Sequence, residues 1–257
     1  MDKRPTMKHP ISRPRAAARL GRLPFAALLF AAAAVHAGSF SVVPVRIYMS
    51  PNDRAVAITI TNEGDTEVAL QADLYTWSQK PDGSDDLVLT EDLLVAPPIL
   101  RLGPGARQVV RLARLAPADM ARQSAYRMIV REVPEVTLPK AEKDILLQLP
   151  VSLAMSMPVF VTPPAARRDV QCRIARLDAR SFNALCQNAG NAYAQVRAIL
   201  LLRGQDELAR FEGGTYLLPG ARHSLSIKAD RPIAAGPAVA RLFFDDGQSV
   251  DQALQLP

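Results

Sequence analysis

The residue types that carry most enzymatic chemistry are scarce in this chain of 257 residues. Its three histidines are His9, His36 and His223, and the first two lie in a stretch that reads as a removable leader. One remaining histidine nearly excludes a multi-histidine metal site or a histidine-based triad. His223 itself is expected on the surface, in the turn after Pro219-Gly220. No Gly-rich phosphate loop, no G-x-S-x-G motif and no metal-ligand spacing occurs. The sequence therefore assigns no catalytic residue, no metal and no cofactor, and it points away from an enzyme. The two cysteines offer different chemistry. Cys172 and Cys186 are equally far from Ala179, so a hairpin with its tip there sets them opposite each other. In an oxidising compartment they are expected to form a disulfide. A reactive pair would more usually be spaced C-x-x-C, so the expected role is to pin a small domain.

Such a compartment is indicated by the N-terminus. Lys3, Arg4, Lys8, Arg13, Arg15, Arg19 and Arg22 precede an apolar run from Leu23 to Ala34, interrupted by Pro24 and followed by small residues around Ala37. That is the order of a secretory signal peptide, here residues 1–37, and the run is too short to span a bilayer. The leader holds seven of the 31 basic and one of the 25 acidic residues, leaving 24 of each in the remaining 220. The mature chain is thus formally neutral, and its charge does not argue for a nucleic-acid partner.

The element that must position any binding chemistry is the stretch Ile145 to Val161. Ile145, Leu147, Leu149, Val151, Leu153, Met155, Met157, Val159 and Val161 occupy every odd position, the period-two signature of a strand. Strands usually run about 5 to 6 residues, so this one is too long for one domain to cover. Pro150 and Pro158 both fall on the even row and would remove donors from the same side. The expectation is a long strand paired on one side only, with an edge suited to strand addition. Two ordinary core strands broken at a proline would give the same pattern.

Around it the chain reads as all-β, with short alternating runs and turn signals. The first strand spans 39–49 and is interrupted by Pro44; further runs lie at 55–61, 67–77, near 87–89, at 107–115 and at 124–133. About seven strands there suggest an immunoglobulin-like sandwich, with Trp77 as a core or edge aromatic. Ala96-Pro97-Pro98 breaks the chain, and Thr162 to Arg168 forms a Pro-rich hinge. A second β module follows, with strands at 170–176, 182–188, 195–203, 224–228 and 238–244. The fold class is two immunoglobulin-like β-sandwich domains, 38–162 and 163–257.

At this point the first domain resembles the PapD-like periplasmic chaperones of pilus and fimbria assembly. The resemblance is carried by Val45-Arg46, Thr61-Asn62, Pro97-Pro98, Arg101-Leu-Gly-Pro-Gly105 with Gln108-Val-Val-Arg111, and Tyr126 to Pro134, in the family's order. The second half matches more loosely, through Asn188-Ala-Gly-Asn191 and a Leu-Pro-Gly turn, and Pro158-Val-Phe-Val161 looks like the archaic branch. The resemblance implies a non-enzymatic chaperone that lends its long strand to an incomplete pilus subunit and delivers it to an outer-membrane usher. Its donor residues would be Leu147, Leu149, Val151, Leu153 and Met155. It also implies a periplasmic location without stable membrane insertion, and it allows a homodimer in which the free chaperone caps itself. Arg46 matches the first of the family's two basic anchors for the subunit carboxylate. The second, a lysine, is replaced by Ser156 or Pro158, and Arg127 is the expected substitute. The competing readings are an exported two-domain ligand-binding or surface-structure protein and, behind it, an enzyme.

Overall fold

The structure is a computed structural model that describes residues 40–134 and 152–257. Every regular element among the described residues is a strand. The first ten are β1 (Phe40–Val43), β2 (Ile47–Met49), β3 (Ala55–Asn62), β4 (Val68–Gln79), β5 (Asp85–Leu89), β6 (Leu93–Ala96), β7 (Ile99–Leu102), β8 (Arg107–Arg114), β9 (Ser124–Glu132) and β10 (Ala154–Val161). The other seven are β11 (Val170–Arg176), β12 (Ser181–Asn188), β13 (Ala194–Arg203), β14 (Asp206–Leu217), β15 (Arg222–Lys228), β16 (Gly236–Phe244) and β17 (Ser249–Leu256).

The N-terminal domain is a sandwich. One sheet has the order β1-β3-β8-β6; the other has β2-β10-β9-β4-β5, with β7 also on β4. Alternation in each strand turns one row inward: Ile58 and Ile60 of β3 and Val110 and Leu112 of β8 meet Leu70, Met128, Val130 and Val159 of the facing sheet. The stretch read as one strand broken at Pro44 is two strands in different sheets, since β1 pairs antiparallel with β3 and β2 pairs parallel with β10. A residue without a backbone donor suits the crossing point. The domain has ten strands where about seven were expected, because the first is two strands and because β6 and β7 lie on either side of Pro97-Pro98.

In the C-terminal domain seven strands follow the order β11-β12-β15-β14-β13-β16-β17 around a second core that includes Phe182, Ile199, Leu201 and Leu242. Its two end strands are bridged by a glutamine side chain. Gln252 of β17 accepts a hydrogen bond from the Cys172 amide at 3.0 Å and donates to the Val170 carbonyl at 2.7 Å. A primary amide has one acceptor and donors in the arrangement of a peptide group, so Gln252 stands in for one rung of a ladder between β11 and β17. Cys172 and Cys186 face each other across β11 and β12 and are bonded, as the hairpin symmetry predicts.

Each domain is also fixed by a buried asparagine at a strand end. Asn62 donates to the carbonyls of Thr66, Leu102 and Gly103 and accepts from the Gly64 amide. Asn188 donates to Ala192 and Leu217 and accepts from Gly190 and Asp169. Both side chains are fully buried, and these bonds satisfy loop carbonyls and amides that would otherwise be stranded away from water.

Candidate functional site

Strand β10 carries the site because its two edges differ. Along its whole length it pairs with β9, from Ala154 opposite Arg131 to Val161 opposite Ser124. The expected one-sided pairing needs correction at its end: β2 occupies the other edge, from Val159 to Val161. Among the described residues no strand covers that edge from Ala154 to Pro158. The Leu153 carbonyl accepts the Glu132 amide at 2.9 Å, so by alternation odd residues address β9 and even residues address the open edge. Pro158 therefore withholds its missing donor from that edge, where a sheet neighbour would look for it.

The odd side-chain row changes surroundings along the strand. Met157, Val159 and Val161 are buried in the domain's own core, whereas Leu153 and Met155 pack against it only partly. Leu147, Leu149 and Val151 lie outside the described residues. The even row turns the other way, and Phe160 is wholly buried between the two domains.

Around Phe160 the domains meet through aromatic rings. Tyr193 of the C-terminal domain stacks on Phe160 with centroids 4.1 Å apart, and Trp77 lies 6.0 Å from Phe160 and edge-on to Tyr216 at 5.2 Å. Trp77 is thus buried against the other domain and does not belong to the sandwich core. Side-chain amides complete the seam: Gln79 donates to the Tyr216 carbonyl and accepts from the Leu218 amide, and Gln123 accepts from the Tyr193 amide. His223, expected in a surface turn, lies in β15, with Nδ1 3.1 Å from the Gly83 carbonyl.

Arg46 and Arg127 both reach this seam. Arg46, in the bend between β1 and β2, pairs with the Asp245 carboxylate and donates to Gln195 Oε1 at 2.7 Å and to the Tyr193 hydroxyl at 3.2 Å. Burial works against its charge, but the Tyr48 hydrogen bond and the phenols of Tyr193 and Tyr216 hold its pKa above the ordinary arginine value. Burial, the Tyr48 hydrogen bond and the Asp245 charge push the Tyr193 phenol up, so it remains a donor. Arg127 is opposite Pro158 in the sheet, as expected beside the long strand. Its guanidinium lies 3.7 Å over the Trp77 ring and 3.5 Å from Asp85. Burial lowers its pKa against the pull of Asp85, yet an arginine keeps its charge in such a setting. The two guanidiniums lie at 5.7 and 5.6 Å from the centre of the Tyr216 ring. An open cleft of about 730 Å³ adjoins Arg46, Tyr48, Tyr193 and Asp245.

The sequence singles out the two arginines but not Asp245, in the turn after β16, Tyr193 and Gln195, at the start of β13, or Tyr216 of β14, which no local motif links. Among the described residues no group of His, Cys, Asp or Glu is placed to hold a metal ion. No helix among them is long and apolar enough to cross a membrane.

Residues 39–167 match the pili and flagellar-assembly chaperone family, PapD N-terminal domain. No curated protein sequence matches the chain. The fold is similar to a chain of the CsuC–CsuE chaperone–tip adhesion subunit pre-assembly complex from archaic chaperone-usher Csu pili of Acinetobacter baumannii. That match has 16% identity and a TM-score of 0.60 and covers 85% of this chain and 98% of that one. It is also similar to the YadV chaperone, at 13% identity and a TM-score of 0.58, covering 85% of this chain and 100% of that one. A chain of the Salmonella enterica SafA pilin–SafB chaperone complex matches at 17% identity and a TM-score of 0.55, covering 87% and 99% respectively.

Proposed function

This chain belongs to the pili and flagellar-assembly chaperone family, and from that premise we propose that it stabilises pilus subunits by lending them the open edge of β10. The observation that carries the proposal is the unequal pairing of that strand. One edge is bonded to β9 throughout, while among the described residues the other edge is covered only from Val159 to Val161. A subunit strand laid along the free edge gains main-chain hydrogen bonds. The odd row, in the proposed set Leu147, Leu149, Val151, Leu153 and Met155, fills the subunit's groove. Each buried side chain contributes roughly 1.5 to 3 kcal/mol, and association costs subtract from the total. The result is a complex that holds an incomplete subunit without locking it.

In the same proposal residues 1–37 are a leader that directs the chain to the periplasm, and an outer-membrane usher receives the loaded complex. Residues 38–162 are the domain with the donor strand, and 163–257 the second sandwich. Arg46 receives the subunit's terminal carboxylate, for which a guanidinium offers paired hydrogen bonds. Arg127 is the second cation, supplied from β9 in place of a charge on β10. The mechanism needs no catalytic group. An exported ligand-binding module would instead call for a β10 fully covered within its own domain.

The test is co-expression of the mature chain in a bacterial periplasm with a pilus subunit encoded beside it. The wild-type chain is expected to retain the subunit in a one-to-one complex, and Leu149→Arg with Val151→Arg to lose it while melting at the wild-type temperature. Retention of the subunit by the folded double variant would defeat strand lending.

A further inference from the structure

The cation proposed to receive a foreign carboxylate already holds one. Asp245 lies in the turn between β16 and β17 and places Oδ2 against Arg46 Nη1, and the same oxygen accepts from the Tyr193 hydroxyl at 3.1 Å. Resting on the reading of Arg46 as the carboxylate anchor, we propose that Asp245 is an internal substitute for the subunit's terminus. It occupies Arg46 in the free chain and yields only to a carboxylate that arrives tethered to the donor strand.

The exchange needs little movement. The turn is anchored to its surroundings without that ion pair: the Asp245 amide bonds the Gln195 carbonyl at 3.2 Å, Asp246 pairs with Arg168 at 2.5 Å, and Gln248 accepts from Arg168 at 2.8 Å. Rotation of the Asp245 side chain therefore releases Arg46 while the turn stays seated. Arg46 stays aimed as well, because Gln195 and the Tyr48 and Tyr193 hydroxyls continue to accept from it. Neither partner is sealed in: the side chains are 28% and 15% exposed, and the cleft opens beside them.

Occupancy by Asp245 has two consequences. A half-buried guanidinium is never left unpaired, which would be costly. It also sets a threshold, since an incoming carboxylate gains Arg46 only by displacing one already in place. A small carboxylate free in solution competes at its bulk concentration. A terminus on a subunit already paired with β10 competes at the much higher effective concentration of a tethered group. Asp245 thus selects a chain end joined to the right strand over unattached carboxylates.

The probe is N-acetylglycyl-tyrosine, as the free acid and as its amide, titrated into the mature chain and followed by ¹H–¹⁵N spectra. Asp245→Asn, which keeps a hydrogen-bond acceptor at the position, is expected to bind the free acid roughly 1.5- to fivefold more tightly than wild type, the range given by an ion pair near a surface. The amide should show no gain, and adding Arg46→Gln should remove it. Asp245→Ser is the second variant should Asp245→Asn melt early. If Arg46→Gln alone weakens binding of the acid but neither Asp245 variant tightens it, Asp245 is a strut between the domains and the proposal falls. If the folded Arg46→Gln chain binds acid and amide as wild type does, the anchor reading itself falls.

Discussion

The two domains share one corner and part company at their edges. Asn62 and Asn188 each end a strand, and each bonds the carbonyl four residues on and the amide two residues on. In both, the asparagine's own amide bonds an alanine carbonyl, Ala106 or Ala221, just after a Pro-Gly turn. The glycines of those turns, Gly105 and Gly220, have φ of +66° and +78°, a conformation that glycine adopts without strain. One local solution thus serves both sandwiches. The edges are treated in opposite ways: β11 and β17 are bridged by Gln252 and β11 is stapled by a disulfide, while β10 keeps a bare stretch between Ala154 and Pro158. An exposed edge invites unwanted pairing. Bridging β11 to β17 removes two such edges from the C-terminal domain, while the bare stretch of β10 is the one proposed to be used.

The largest expected change that would break this contrast is removal of the staple. The cysteines are 14 residues apart, and a loop of about that size contributes about 3 kcal/mol. Cys172→Ala with Cys186→Ala should therefore lower the stability of the C-terminal domain by about that amount in urea titrations, read by amide exchange domain by domain. Equal loss in both domains would mean that the staple serves the whole chain.

The shared corner predicts equality instead. Asn62→Ala and Asn188→Ala should each cost about 2 kcal/mol, since each strands several buried carbonyls and amides. The loss should fall in the domain that carries the substitution. A large difference between the two would show that the corners are alike in geometry only.

The smallest effect belongs to the bridging glutamine. Gln252→Ala should cost about 1 kcal/mol and speed exchange of the Cys172 amide while leaving β10 unchanged. Protection of that amide in the variant would mean that packing alone closes the sheet.

Much of this architecture was legible in alternation. Strands β3, β4, β8 and β9 follow from their apolar rows, and the cysteine pair follows from its symmetry about Ala179. Strand exchange at Pro44 was not legible, because a strand alternates in the same way whichever sheet it joins. Strands β6 and β7 were hidden because each has four residues and Pro97-Pro98 lies between them. Strand β14 was masked by Gly213-Gly214, residues that weaken a strand's pattern. At the site, Arg46 stood out through its motif, but its partner Asp245 is 199 residues away and no spacing rule links them.

The chain contains one tryptophan, and Trp77 lies with Arg127 on one face and Phe160 and Tyr216 close by, at the junction of the domains. Its fluorescence therefore reports on neither sandwich interior but on the joint between them. Swinging the domains apart would withdraw Tyr216 and Leu218 from Trp77, admit water to the indole and redden the emission while both cores stay folded. The molecule carries its own optical gauge of the hinge, readable without a label during capture and release of a partner.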